Sequence, residues 1–321
     1  MTDRCAAIGM CFDRTFPAVF VREVAQRLED DGVEELWIIE DCFFTAGVSL
    51  AATALAVTDR LRVGLGILPA VARNPAVTAM ELATLAELAP GRLMAGIGHG
   101  VQPWMAQMGA RTPSPLTTLE EVLVTLRRLL AGERVSTHRA FVRPDDVALD
   151  RPPARPPPLY AGVRGPRSLA LAGRVADGIL IAEPAAPAVI AGAIDQAGRP
   201  QAMRVAAYAC LCVEDDGADA RRIMAPWLHG LLADPTATAA LRAPPCYDEL
   251  AEVDRARGVD GLAALPASRW RQIGPVGTID DALAHVGMLE DAGVDQLALF
   301  PAPDVGTARK QLGDVARIAR R

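Results

Sequence analysis

The chain has 321 residues, of which 51% are hydrophobic and 22% charged, so it can bury one large core and is not expected to be disordered. Its formal net charge of -6 argues against a nucleic-acid binder, which normally carries a basic excess. No apolar run reaches the roughly 18 residues of a membrane span, and the N-terminal residues do not follow the pattern of an export signal. We therefore expect a cytoplasmic protein with no membrane or nucleic-acid partner.

Eight short segments are predicted to be β-strands, because each is apolar throughout and bounded by Gly, Pro or Asp, as in strands covered on both faces. In chain order they are Cys5–Cys11, Glu35–Ile39, Leu61–Ile67, Arg92–Ile97, Pro158–Val163, Gly178–Ala182, Met203–Val213 and Asp295–Phe300. Segments of helical periodicity lie between them; Phe16, Phe20, Val24 and Leu28, for example, form one apolar stripe. This alternation predicts a single (β/α)8 TIM-barrel domain over residues 1–321.

Two intervals are too long to be simple connections between a strand and a helix. Residues 98–155 are predicted to contain a helix with Trp104, a helix over Leu119–Leu130 and a hairpin over Val135–Val142. Residues 214–272 are predicted to be mostly helical. As insertions after strands four and seven, both are expected to lie over the C-terminal mouth of the barrel, where substrate pockets form.

Functional side chains of such a barrel lie just beyond the C-terminal ends of the strands. Asp41 follows strand two, and its carboxylate could accept the ring N–H groups of a planar heterocycle or could cap the next helix. His99 follows strand four, where it could be a general acid, a ring contact or a structural histidine. The glycines of Gly96-Ile-Gly-His-Gly100 lack the third glycine of a dinucleotide fingerprint, since position 101 is Val101. They permit either close approach of a ligand or a bulged strand end.

A possible anion site follows strand five, where Gly165 and Pro166 begin a helix between Arg164 and Arg167. Backbone amides at a helix N-terminus favour bound anions, although the segment could also be a surface turn. The one lysine, Lys310, lies near the C-terminus, so arginine would have to hold a phosphate. The same scarcity of lysine argues against Schiff-base chemistry.

Cysteines and histidines give no sign of a metal centre. The six cysteines form no CxxC pair and the four histidines are scattered, which argues against structural zinc and a disulfide framework. Cys210 and Cys212 are two residues apart in an apolar run, so we expect both on one side of strand seven, as core or barrel-lining residues.

Several of these segments resemble the bacterial luciferase-like superfamily, in the branch that uses the deazaflavin coenzyme F420 and includes methylenetetrahydromethanopterin reductase. The matching stretches are Gly32-Val-Glu-Glu-Leu-Trp37 with Asp41, Arg62-Val-Gly-Leu-Gly66, Arg73-Asn-Pro-Ala76, Gly91-Arg92, Gly96-Ile-Gly98, Gly165-Pro-Arg-Ser-Leu-Ala-Leu-Ala-Gly173 and Ala176-Asp-Gly178. The resemblance implies that Asp41 lies against the ring system and that a cis peptide joins Gly66 and Ile67. Relatives often carry histidine where this chain has Cys42, and their tail-binding lysines would be replaced by Arg164 and the amides near Gly165. Glu183 near that tail is a charge that the resemblance does not explain.

Strand ends and resemblance together predict the site. The expected catalytic residues are Asp41, His99 and Cys42. The expected cofactor-binding residues are Asp41, Gly66, Ile67, Leu68, Gly98, His99, Gly162, Val163, Arg164, Gly165, Pro166, Ala182 and Glu183. The implied activity is hydride transfer between F420 and a small organic substrate; a monooxygenase using reduced FMN and a flavin-binding protein without turnover are the alternatives. A homodimer packed through the second and third helices is also expected from the resemblance.

Overall fold

The computed structural model describes residues 5–198, 202–233 and 246–321. The predicted TIM barrel is confirmed: eight parallel strands close on themselves in chain order, with the eighth pairing with the first. They are β1 (Ala7–Phe12), β2 (Glu35–Ile38), β3 (Arg62–Pro69), β4 (Leu93–Gly98), β5 (Leu159–Gly162), β6 (Gly178–Ile181), β7 (Arg204–Cys210) and β10 (Gln296–Phe300). Two further strands, β8 (Cys212–Val213) and β9 (Val276–Gly277), form a small parallel sheet outside the barrel.

Helices follow the strands, and most of them cover the outside of the barrel. They are α1 (Phe20–Asp30), α2 (Gly47–Ala56), α3 (Pro75–Leu88), α4 (Gln102–Gln107), α5 (Pro115–Leu130), α6 (Pro166–Val175), α7 (Pro187–Gln196), α8 (Gly217–Ala233), α9 (Tyr247–Ala263), α10 (Ala267–Trp270), α11 (Ile279–Asp291) and α12 (Val305–Ala319). Local signals start several of them; the Asn74 side chain, for instance, accepts the N–H of Ala76 ahead of Pro75 in α3. Within the described residues, no helix is both long enough and apolar enough to cross a membrane.

Two of the predicted elements are wrong in detail. The seventh strand leaves the barrel at Leu211, whose N–H donates to Phe300 O, and Cys212 then pairs with Val276 in the small sheet. Cys210 and Cys212 therefore belong to different sheets.

The hairpin predicted over Val135–Val142 is also absent from the described residues, where a single antiparallel bridge joins Val135 to Val147. The carboxylate of Glu121 accepts the N–H groups of Ala140, Phe141 and Val142. A side chain thus takes the place of a partner strand for these backbone groups.

Hydrophobic side chains form separate cores inside and outside the barrel. The inner core contains Trp37, Tyr160 and Tyr208, and a larger outer core lies between the strands and the helices. A further core, built from β8, α8, α9, α10 and β9, contains Leu228, Leu250 and Trp270. The second insertion thus has an interior of its own.

Polar side chains close the N-terminal end of the barrel beneath the inner core. Glu35, fully buried, accepts hydrogen bonds from Trp37 Nε1 at 2.8 Å and Gln296 Nε2 at 2.6 Å. Arg62 lies 2.9 Å from the same carboxylate, and the Tyr160 hydroxyl donates to Gln296. Burial raises the pKa of Glu35, while Arg62 and the two hydrogen bonds oppose that rise.

Candidate active site

A cavity of about 1270 Å³ opens at the C-terminal ends of the strands. Single small-molecule sites range from roughly 300 to 1,000 Å³, so this cavity has room for a ring cofactor and a second molecule. Residues that follow seven of the eight barrel strands line it, together with the C-terminal residues of β3, and the insertions contribute Trp104 of α4 and Ile223, Met224 and Trp227 of α8. Both insertions therefore reach the mouth of the barrel, as expected.

The end of β3 has the backbone irregularity that the resemblance implied. A cis peptide joins Gly66 and Ile67, and the register with β4 shifts between Leu65 and Leu68. The Ile67 side chain lies over β4 and β5: a Cβ at Gly98 would be 2.1 Å from Ile67 Cδ1, and a Cβ at Gly162 would be 2.5 Å from its Cγ2. These two glycines make room for Ile67, which itself lines the cavity.

Asp41 lies at the rim of the cavity in an ion pair. Its Oδ2 is 2.5 Å from Nη1 of Arg14, and the Arg14 guanidinium lies 4.9 Å from the ring centre of Phe44 and 5.9 Å from that of Trp104. Asp41 does not cap the next helix, because α2 begins after Ala46 without a side-chain cap. The loop after β1, the loop after β2 and the first insertion are thus joined around one arginine.

The residues on either side of Asp41 are engaged differently. Glu40 forms a two-pronged pair with Arg73, at 2.5 and 2.8 Å, and also accepts the N–H of Gly47 at 2.8 Å. Burial, with the nearby carboxylates of Glu40 and Asp41, raises the pKa of the Cys42 thiol. Cys42 therefore carries a neutral thiol at neutral pH and not a thiolate nucleophile.

His99 has a hydrogen-bond partner at each ring nitrogen. Nδ1 lies 3.2 Å from the carbonyl oxygen of Pro115, and Nε2 lies 2.9 Å from the hydroxyl of Ser168 in α6. Because the carbonyl can only accept, Nδ1 carries the proton and Nε2 accepts from Ser168. Burial lowers the pKa of His99, so the ring is neutral at pH 7. The histidine ties the end of β4 to the first turn of α6.

The N-terminus of α6 borders the cavity beside Arg164. Gly165 is the N-cap residue and Pro166 the first helical residue. A Cβ at Gly165 would meet no protein atom within 4 Å, so the backbone there is open to a ligand. Arg164 is exposed and donates from Nη2 to the main-chain oxygen of Glu183 at 2.8 Å. Free amides of a helix start beside an arginine fit a phosphate group.

Not every residue of the expected site lines the cavity. Leu68 is buried in the outer core, Gly98 lies beneath Ile67, and Pro166 begins α6 beside the cavity. Asp304, which also follows a strand, caps α12 by accepting the N–H groups of Gly306 and Thr307. The other ten expected residues all line it: Asp41, Gly66, Ile67, His99, Gly162, Val163, Arg164, Gly165, Ala182 and Glu183; so does Cys42.

Sequence reasoning missed several residues of the wall. Arg14 follows β1 by two positions, so the strand-end rule could have found it. Tyr208 lies within β7 and places its hydroxyl 3.4 Å from Gly66 O. Trp227 lies in the middle of α8, where the sequence carries no sign that its ring faces the cavity.

Comparisons with known proteins agree with this architecture. Residues 13–296 match the family model described as luciferase-like monooxygenase. Over 312 residues the chain is 31% identical to the 5,10-methylenetetrahydromethanopterin reductase of Methanolobus tindarius, covering 90% of this chain and 92% of the relative.

Two solved structures share the fold. An F420-dependent secondary alcohol dehydrogenase, in complex with an F420-acetone adduct, superposes with a TM-score of 0.78 at 19% identity, over 99% of both chains. The FMN complex of the oxygenating constituent of 3,6-diketocamphane monooxygenase from Pseudomonas putida gives 0.72 at 15% identity, over 98% of this chain and 97% of that one. The chain therefore belongs to the luciferase-like monooxygenase family, as its motifs indicated, and it is an oxidoreductase.

Proposed function

We propose that the chain transfers a hydride between coenzyme F420 and a small organic substrate at the mouth of the barrel. One observation supports this above the others: a cavity of about 1270 Å³ opens beside a helix N-terminus with an exposed arginine, so that ring, phosphate and substrate have room together. The methanopterin reductase relative, matched over most of both chains, is named for a reduction. Bound F420 would supply or accept a hydride at carbon five of its ring.

The chain's own residues divide into a ring site and a phosphate site. In the ring site, Ile67 and the bulged end of β3 would support one face of the ring, and Asp41 would lie at its edge. In the phosphate site, Arg164 and the first amides of α6 would hold the anionic tail. Gly66, Leu68, Gly98, Gly162, Val163, Gly165, Pro166 and Ala182 shape the backbone around these two sites.

The three side chains expected to be catalytic have supporting roles in this proposal. The Asp41 carboxylate is ion-paired with Arg14. Both ring nitrogens of His99 are hydrogen-bonded, one to Pro115 and the other to Ser168. His99 therefore positions the N-terminus of α6, and with it the phosphate site, against β4. Cys42 lines the cavity next to Asp41 with an uncharged thiol.

Reduced FMN is the alternative cofactor, because it also carries a phosphate and a solved structure of the same fold contains FMN. Titrating the purified protein with F420 and with FMN, while following ring fluorescence, separates the two. Tight binding of F420 supports the proposal, and tight binding of FMN alone overturns it.

A variant pair checks where the tail binds. Arg164→Gln should weaken F420 binding about tenfold, because a hydrogen bond to a charged group is worth about 1.5–3 kcal/mol. Arg174→Gln, at the far end of the same helix, is the control and should leave the affinity unchanged. Equal affinities for the Arg164 variant and the wild type would remove this arginine from the phosphate site.

We also propose that the chain forms a homodimer through α3. Val77, Met80 and Leu88 lie on one face of that helix and are 45%, 58% and 70% exposed. Exposed apolar side chains in a row favour burial against a second copy. Met80→Glu should halve the molecular mass measured by sedimentation, whereas a wild-type monomer would contradict the proposal.

A further inference from the structure

Reducing a polar double bond takes a proton as well as a hydride, and the side chains first expected to supply it are engaged elsewhere. Asp41 is ion-paired with Arg14, and both nitrogens of His99 are hydrogen-bonded within the protein. Cys42 is a poor proton donor, because burial raises the pKa of its thiol above that of an ordinary cysteine. The proton donor has to be sought among the other titratable groups of the cavity.

Glu183, one of several carboxylic acids that line the cavity, can meet this requirement. It lies two positions after β6, and its main-chain oxygen accepts the Arg164 hydrogen bond. Its side chain lines the cavity, where it faces groups from strands on several sides of the barrel. Six titratable or charged groups interact electrostatically with Glu183. They are Cys11 of β1, Arg14 of the following loop, Asp41 after β2, Arg164 after β5, and Tyr208 and Cys210 of β7.

These surroundings raise the pKa of the Glu183 carboxyl group above that of an ordinary glutamate. Burial raises the pKa of Glu183 and the Asp41 carboxylate adds to that rise, whereas a hydrogen bond from the residue's own backbone, Arg164 and Arg14 oppose it. Each arginine has another acceptor at hydrogen-bond distance: Arg14 holds Asp41, and Arg164 donates to the Glu183 main chain. On the barrel side, the neighbours Cys11, Tyr208 and Cys210 are neutral, because burial raises the pKa of each.

We propose that Glu183 is the general acid of this site, and that the substrate carries a carbonyl or imine group. The inference rests on the proposed function, in which reduced F420 supplies the hydride, and therefore both electrons, to the substrate carbon. The O–H bond of Glu183 breaks as an O–H or N–H bond forms at the substrate heteroatom. The carboxylate left behind regains a proton from water after the product leaves. In the oxidative direction the same carboxylate accepts the proton of an alcohol or amine.

The protonation state is tested first, on the full chain without cofactor. Infrared difference spectra between wild type and Glu183→Gln should contain the carbonyl band of a protonated carboxylic acid at pH 7, where an ordinary glutamate of pKa about 4.3 is ionised. Asp304→Asn removes a carboxylate that does not act on Glu183, so it is the control and should leave that band in place. Should Glu183→Gln fail to fold, labelling of the wild type with dicyclohexylcarbodiimide, which attacks protonated buried carboxyls, replaces it. A Glu183 that is ionised or unlabelled at pH 7 overturns the proposal.

The catalytic step is tested with reduced F420 and a panel of ketones, aldehydes and imines. With the first compound that the wild type reduces, Glu183→Gln should lower kcat by about 10²- to 10⁴-fold, the usual contribution of a general acid. Its affinity for F420 should stay within about threefold of wild type, since the substitution keeps the shape of the side chain. The fall in wild-type kcat at high pH should disappear in the variant. A variant that keeps most of its kcat overturns the role of Glu183, whereas a wild type that does not bind F420 overturns the proposed function and leaves the infrared result standing.

Discussion

Gly162→Ala tests whether Ile67 sets the floor of the ring site. A Cβ at position 162 would lie 2.5 Å from Cγ2 and 2.9 Å from Cδ1 of Ile67, closer than real side chains approach. The Ile67 side chain cannot move toward β4, because its Cδ1 already packs closely against Gly98 of that strand. The side chain must therefore move into the cavity.

Overpacking of this kind costs about 1–3 kcal/mol of unfolding free energy. F420 affinity should also fall about tenfold or more, since the displaced Ile67 occupies the place of the ring. Urea unfolding and fluorescence titration measure the two effects. Gly165→Ala is the matched control, because its Cβ meets no protein atom within 4 Å; its stability should stay within about 0.5 kcal/mol of wild type.

A second substitution shows whether Ile67 is the cause. Ile67→Ala removes the atoms that the new Cβ meets, so the cost of Gly162→Ala should fall by about 1–2 kcal/mol in that background. Additive effects of the two substitutions, or a Gly162→Ala variant as stable as the Gly165→Ala control, would refute the reasoning.

Two further predictions concern stability. Burial lowers the pKa of His285 to about 4, whereas in the unfolded chain the same imidazole is protonated near pH 6.5. Because the unfolded chain binds this proton more readily, the free energy of unfolding should fall by about 3 kcal/mol between pH 7 and pH 4. Urea unfolding across that range should show a shallower dependence for His285→Gln than for the exposed control His138→Gln, and parallel curves would contradict this. Glu35→Leu leaves the donors of Trp37 and Gln296 without their buried acceptor, while Arg62 keeps Glu34, and should cost about 2–4 kcal/mol; a loss below 1 kcal/mol in the same assay would show that these groups find other partners.

The barrel was predictable because both of its signals are local. Each strand is a short apolar run, and the helices begin at recognisable residues such as Asn74-Pro75. Strand seven was extended too far because the run continues without interruption to Val213. Nothing in it marks Leu211, where the chain passes to another sheet through pairing with Val276.

The site was predictable in position and less so in contacts. Counting from strand ends placed Asp41, His99, Arg164 and Glu183 around one cavity, since all parallel strands end at the same face. Their partners come from distant parts of the chain: Ser168 lies 69 residues from His99. Whether a histidine transfers protons or holds two elements together depends on such partners, which the sequence does not reveal.

The separate interior of the second insertion has an evolutionary consequence. Trp227 and Met224, which face the cavity, pack against Leu228, Leu250 and their neighbours and not against the barrel's own core. Replacements in this wall can therefore be accommodated within the insertion, leaving the proposed ring and phosphate sites undisturbed. A chain organised in this way can diversify the molecules it accepts while its redox partner stays the same.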